Sequence, residues 1–189
     1  MQMNSLDSAP EGPTDSGLAL AAAAGDRVAF ATLVTRHYDR IFGLCWRLTG
    51  QRAEAEDLAQ EICASLPRRL QSWRREAQFS TWLYRVIVNA AHDARRRSAT
   101  RGRAAAGWGD WEIARQATMA EDRAAQDWLA TAMQSLPPDL RDTVALVLGE
   151  DLTQAQAATV LGLSEGTVAW RMSEVKKRLR ALAAEEAHP

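Results

Sequence analysis

Phe79-Ser-Thr-Trp-Leu-Tyr-Arg-Val-Ile-Val-Asn-Ala-Ala-His-Asp-Ala-Arg-Arg-Arg97 sets apolar residues at Phe79, Trp82, Leu83, Val86, Ile87, Ala90 and Ala94, and steps of three and four of this kind predict an amphipathic helix. Tyr84, Arg85 and Asn89 lie off that stripe, and the segment closes on Arg95, Arg96 and Arg97. A ring, an amide and guanidinium groups on one surface suit unstacked bases and their phosphates, because stacking is worth about 1–3 kcal/mol per base. A core helix with a solvated basic end fits the same residues.

Further along the chain, Thr153 is placed to cap one helix and Ser164 the next, with Gly162 at the corner between them. Serine and threonine hydroxyls accept from the free N–H groups of a first turn, and glycine tolerates the positive φ of a tight corner. Ala158 is small enough for close helix approach, and Val168 closes the small core. Val168, Met172, Val175 and Leu179 form the inward stripe of the second helix, leaving Thr167, Trp170, Arg171, Ser173, Glu174 and Lys177 toward solvent or DNA. This pattern predicts a DNA-binding helix-turn-helix, with a plain helical hairpin as the alternative. Lys176, Lys177, Arg178 and Arg180 would then meet phosphates, which position a helix without reading sequence.

The segments between are helical too. Phe30, Leu33, Val34, Tyr38, Ile41, Leu44, Cys45 and Leu48 form a stripe that ends at Thr49-Gly50. Glu54, Glu56, Asp57 and Glu61 crowd the start of the next helix, where the positive end of its dipole favours carboxylates, while Leu58, Ile62 and Leu66 face inward. Pro67 is expected to break or kink that helix. A C-terminal unit opens with an approach helix through Met133, a break at Leu136-Pro137-Pro138 and a helix from Asp139 to Leu148. Strand signals are weak throughout. The expectation is an all-α protein of two small helical domains joined by a flexible linker, with a disordered tail over 1–20, a first domain over 21–97, the linker over 98–124 and a helix-turn-helix domain over 125–185.

Bulk properties exclude several classes. The chain of 189 residues carries 23 Lys and Arg against 24 Asp and Glu, so nucleic-acid contact must come from local clusters such as Arg95 to Arg97 with Arg101 and Arg103. Cys45 and Cys63 lack metal spacing, and His37, His92 and His188 are too scattered to complete a ligand set, so neither a metal nor a cofactor is expected. No apolar run approaches the roughly 20 residues that cross a bilayer, and no export signal precedes the Ala-rich run from Leu18 to Ala24. The expectation is a cytoplasmic protein with no membrane insertion. His37 near Asp39 and His92 beside Asp93 are the only acid-base pairs of note, without a nucleophile or metal partner at a telling distance, so an enzyme is not expected.

Ala55-Glu-Asp-Leu-Ala-Gln-Glu61, then Phe79-Ser-Thr-Trp-Leu-Tyr-Arg85 with Asn89 and the arginine run, then Leu136-Pro-Pro and Ser164-Glu-Gly-Thr-Val168, together resemble bacterial sigma factors of the extracytoplasmic-function group. The resemblance covers residues 25–97 and 125–183. It implies two helical domains with no catalytic activity of their own, a region 2 type bundle and a region 4 type helix-turn-helix. It further implies partners in core RNA polymerase, in promoter DNA both double-stranded and melted, and in an anti-sigma factor.

Matched position by position, the resemblance places Asp57, Leu58, Gln60 and Glu61 on the core polymerase. It places Trp73, Arg74, Arg75, Tyr84, Arg85, Asn89, Arg95, Arg96 and Arg97 on the minus-ten element and its melted strand, with the 71–78 loop where relatives capture a flipped base. A packed tryptophan with solvated arginines reads that loop equally well. Ser164, Thr167, Trp170, Arg171, Ser173, Lys176, Lys177 and Arg178 fall on the minus-thirty-five element. Ala169, Trp170 and Glu174 depart from the basic or small residues of the family pattern, and Cys63-Ala-Ser-Leu-Pro67 replaces a more aromatic, uninterrupted helix. Two other classes fit part of the chain: a sigma-like decoy that sequesters an anti-sigma factor, and a simple helix-turn-helix repressor, which leaves the first 97 residues unexplained.

Overall fold

The computed structural model describes residues 13–104, 132–133 and 135–186. Its elements are α1 (Asp15–Ala23), α2 (Arg27–Thr49), α3 (Arg52–Leu70), α4 (Phe79–Ala104), α5 (Pro138–Val147), α6 (Gln154–Leu161) and α7 (Glu165–Glu186), and no strand occurs among the described residues.

Local chemistry sets most of the boundaries. Asp26 caps α2 by accepting from the N–H groups of Val28 and Ala29 at 2.8 and 3.0 Å, and Gly50 ends it in the left-handed region at φ 76°. Thr153 and Gln156 form a reciprocal capping box on α6, Gly162 ends that helix at φ 68°, and Ser164 Oγ accepts from Thr167 N at 3.1 Å to start α7. The turn chemistry expected for the helix-turn-helix is therefore present at each of its three positions.

Three stretches differ from expectation. Helix α1 begins at Asp15, inside the assigned tail, where Thr14 caps it by accepting from Gly17 N at 3.1 Å, and it buries Leu18, Ala19 and Ala22. Residues 1–12 of that tail lie outside the described residues. Pro67 neither breaks α3 nor ends it, because Leu66 and Leu70 on either side are each only 2% exposed. Burying two leucines at about 1.5–3 kcal/mol each offsets the roughly 3 kcal/mol cost of an interior proline. Finally, α4 continues to Ala104, into the stretch expected as linker, and 105–131 lie outside the described residues.

Helices α1 to α4 form an N-terminal bundle whose centre is Leu33, Ile41, Leu44 and Leu48 of α2, Ile62, Leu66 and Leu70 of α3, and Leu83 and Ile87 of α4. Helices α5 to α7 close around Leu140, Val144, Leu146, Ala158, Val168, Met172 and Val175. The two units are not separate: α5 packs on α2 and α6 packs on α4. That junction explains why Tyr84, Val88 and Ala91, on the side of α4 away from its expected stripe, are also buried. No helix among the described residues is long and apolar enough to cross a membrane.

Candidate nucleic-acid and partner interface

The first candidate surface is on α3. Asp57, Gln60 and Glu61 are exposed and project from the helix, whereas Leu58 is 3% exposed and packs in the bundle core, as its place on the inward stripe implied, which leaves it off the open surface of the free chain. Glu61 accepts from Arg97 Nη2 at 2.9 Å, an exposed pair of the kind worth about 0–1 kcal/mol. Asp57, Glu61, Arg95, Arg97 and Arg141 share the wall of a groove of about 510 Å³ between α3, α4 and the start of α5.

The loop between α3 and α4 is held by aromatic packing. Trp73 lies edge-on to Phe79 at a centroid distance of 5.7 Å and tilted against Trp82 at 6.2 Å, leaving Trp73 only 9% exposed. Trp73 is thus a floor for the loop, and its indole Nε1 is buried without a hydrogen-bond partner among the described residues. Arg74 and Arg75, the next two residues, are exposed, and Arg75 adopts φ 62°, a left-handed conformation costly for a residue with a side chain.

On α4 the expected contact residues are treated unequally. Asn89 is exposed. Arg85 is exposed too, yet its Nε and Nη2 donate to the Thr159 carbonyl of α6 at 3.0 and 2.7 Å. Tyr84 is 5% exposed and donates its hydroxyl to Glu150 at 2.8 Å, which removes it from the solvent surface expected for it. Burial, and then the hydrogen bond and charge of Glu150, push the Tyr84 phenol up to about 12. Arg95 grips both carboxylate oxygens of Asp142 at 3.0 and 2.8 Å, Arg96 pairs with Asp93, and Arg97 pairs with Glu61. Of the three, Arg95 is drawn inward by the Asp142 carboxylate of α5, whereas the pairs of Arg96 with Asp93 and of Arg97 with Glu61 lie at the exposed surface.

On α7, Trp170 is 63% exposed, and Ser173, Lys176, Lys177 and Arg178 are exposed along the same helix. Ser164 and Thr167 share a hydroxyl contact of 2.8 Å at its N-terminus. Arg171 departs from the expected outward position: its side chain is 19% exposed and donates to the Asp139 carbonyl at 3.3 Å.

Residues with no part in the sequence expectation complete the surface. Glu150, with a side chain 5% exposed, is paired with Arg47 and lies 3.6 Å from Arg40 Nε, while His92 Nε2 is 2.7 Å from Asp142. Arg40 and Arg47 stand two turns apart on one face of α2, which was a legible hint. Nothing local marks Glu150 or Asp142. No group of three or more metal-ligating side chains gathers among the described residues.

Residues 33–101 match the sigma-70 region 2 family and residues 126–179 match sigma-70, region 4. The chain is 34% identical over 174 residues to the ECF RNA polymerase sigma factor SigM of Mycobacterium tuberculosis, spanning 89% of this chain and 84% of that one. It is 29% identical over 171 residues to the ECF RNA polymerase sigma factor SigW of Bacillus subtilis, spanning 82% of this chain and 89% of that one. Among solved structures, it is similar to CnrH in complex with the cytosolic domain of CnrY, with a TM-score of 0.68, 25% identity, and coverage of 93% of this chain and 99% of that one. RpoE from Bartonella quintana, in complex with the anti-sigma factor NepR, shares the fold at a TM-score of 0.70 and 20% identity, with coverage of 82% and 96%. Two family matches that together span both helical units, and a relative aligned along most of its length, agree: this chain belongs to the extracytoplasmic-function group of RNA polymerase sigma factors.

Proposed function

We propose that this sigma factor, which binds core RNA polymerase and directs it to promoters, divides the work among three surfaces. Asp57, Gln60 and Glu61 on α3 dock the polymerase through charge complementarity, with Leu58 holding the helix in register from beneath. Arg74, Arg75, Arg85 and Asn89, with Tyr84, Arg95, Arg96 and Arg97 beside them, hold the minus-ten element and its separated strand. Ser164, Thr167, Trp170, Ser173, Lys176, Lys177 and Arg178 seat α7 at the minus-thirty-five element, and Arg171 positions that helix through Asp139. A sigma factor has no fuel for melting, so binding energy from the single strand must offset unstacking at a few kcal/mol per step.

The observation that carries this reading is the α3–α4 loop, in which Arg74 and Arg75 are exposed while Trp73 packs on Phe79 and Trp82 in the first turn of the helix that also presents Arg85 and Asn89. The protein works in the cytoplasm with the polymerase, and its regulator is an anti-sigma factor, as NepR is for RpoE in the complex of similar fold. No observation favours the decoy.

The test is transcription in vitro with purified core polymerase and the Arg85→Ala, Asn89→Ala double variant. Core binding is expected to persist while open complexes are lost; undiminished transcription would remove these residues from melting. Absence of any transcription by the wild-type chain on its own promoters, with core binding intact, would turn the reading to the decoy.

A further inference from the structure

Every hydrogen-bonded or ionic contact of Asp142 and Glu150 described above runs in one direction. The carboxylates come from the C-terminal unit, and the groups that meet them come from the N-terminal bundle: Arg40 and Arg47 of α2, and Tyr84, His92 and Arg95 of α4. Both carboxylates are nearly excluded from water, with side chains 5% and 3% exposed. Arg95 holds Asp142 through two parallel N–H donors at 3.0 and 2.8 Å, the fork geometry with which a guanidinium also takes a phosphate. Beside them Arg85 spends two donors on the Thr159 carbonyl, in the last turn of α6 where the helix dipole is negative. Each of these sites offers the bundle a negative group where a nucleic-acid strand would offer phosphate.

We propose that the free chain is closed by its own C-terminal unit, with Glu150 and Asp142 standing in for backbone phosphates on the face that takes the melted strand, and that this closure must open before that strand binds. The proposal rests on the assignment of Tyr84, Arg85 and Asn89 to DNA. It deepens that assignment by adding Arg40, Arg47 and His92 to the strand-binding face, and by giving Glu150 and Asp142 a regulatory role. Such a closure opens readily because a buried ion pair loses in desolvation much of what it gains by attraction, and phosphates restore the same bonds to the bundle. If the open form holds on the order of 1–10% of the free chain, apparent affinity for single strands is roughly 10- to 100-fold weaker than that of the opened face.

The experiment places a dye pair at Thr35→Cys and Ala183→Cys, exposed positions on the two units outside the surfaces assigned to DNA, in a Cys63→Ser background of the full chain, where Cys45 is buried. Energy transfer and binding of random-sequence single-stranded DNA are compared between wild type and the Glu150→Gln, Asp142→Asn variant, with far-ultraviolet circular dichroism as the check on folding. Lower energy transfer together with DNA binding tightened about 10-fold or more supports the closure. Unchanged energy transfer and affinity in a folded variant overturns it. Lower energy transfer without tighter binding overturns the occlusion, and adding Arg85→Ala and Asn89→Ala then shows whether the DNA assignment fails as well. Should the double variant not fold, Glu150→Gln alone, in the turn after α5, carries the same comparison with the same outcomes.

Discussion

The hydroxyl of Tyr84 donates to Glu150 at 2.8 Å across 66 residues of sequence, and the bond joins the helix expected to meet the melted strand to the turn that follows α5. Burial is the main reason the phenol titrates so high, and the Glu150 charge adds to it. The neutral phenol is favoured in the folded state. Its contribution is therefore fully present below the ordinary value of 10.0 and is lost as pH rises through about 12. Phenolate absorbance should show one tyrosine titrating near that upper value, and Tyr84→Phe should abolish that component; a Tyr84 component at the ordinary value would contradict the buried bond.

His37 gives the opposite end of the pH range. It is 3% exposed, its Nε2 is 2.9 Å from Asp15, and its ring lies 5.2 Å from Phe79. Desolvation lowers its pKa from 6.5 against the raising effect of Asp15, while Arg40 and Arg36 add to the lowering. The unfolded chain then binds a proton more readily than the folded one, so this stabilisation is complete above 6.5 and falls as pH drops through the lower folded value. Thermal midpoints should decline across that window in the wild type and decline less in His37→Gln, which keeps a donor toward Asp15. Equal slopes would show that His37 does not govern acid sensitivity.

Gly162 takes φ 68° with nothing within 4 Å of the place a Cβ would occupy. The cost of a side chain there is torsional, about 1–2 kcal/mol. Gly162→Val should destabilise the protein by that amount in urea unfolding, while Gly166→Ala, in the first turn of α7, should cost nothing comparable.

Pro67 interrupts the hydrogen-bond ladder of a helix that continues past it. Pro67→Ala restores the missing N–H and should stabilise the protein by about 1–2 kcal/mol, part of the intrinsic gain being lost to a more flexible unfolded chain. A neutral or destabilising result in denaturant titration would mean that the proline sets the direction of the following loop.

Lys176, Lys177 and Arg178 form an exposed basic end to α7, with Arg178 held to Glu174 at 2.9 Å. Neutralising all three should weaken promoter binding and reduce the slope of log affinity against log salt by about 2–3, since each phosphate contact contributes about 0.9. A slope equal to that of the wild type would place these residues off the DNA.

Helices α2 to α7, the corner at Gly162, the caps at Thr153 and Ser164 and the buried stripes of α4, α7 and, apart from the exposed Tyr38, α2 were legible in the amino-acid order, because each depends on residues within one or two turns of each other. Family membership was legible for the same reason, as a set of short local motifs. The candidate site was less so: Tyr84 read as a surface residue and is buried, and Arg171 turns to Asp139, while the burial of Leu58 and the packing of Trp73 were each one of the readings the residues allowed. Leu66 and Leu70 carried α3 past a proline that local propensity alone would have made its end. What only the tertiary structure decided is the closure of one unit on the other. Arg47 and Glu150 are 103 residues apart and Arg95 and Asp142 are 47 apart, and such pairings leave no period or spacing in the chain. They exist because two folded surfaces meet, and the sign and place of their charges emerge only when packing has brought them out of water together.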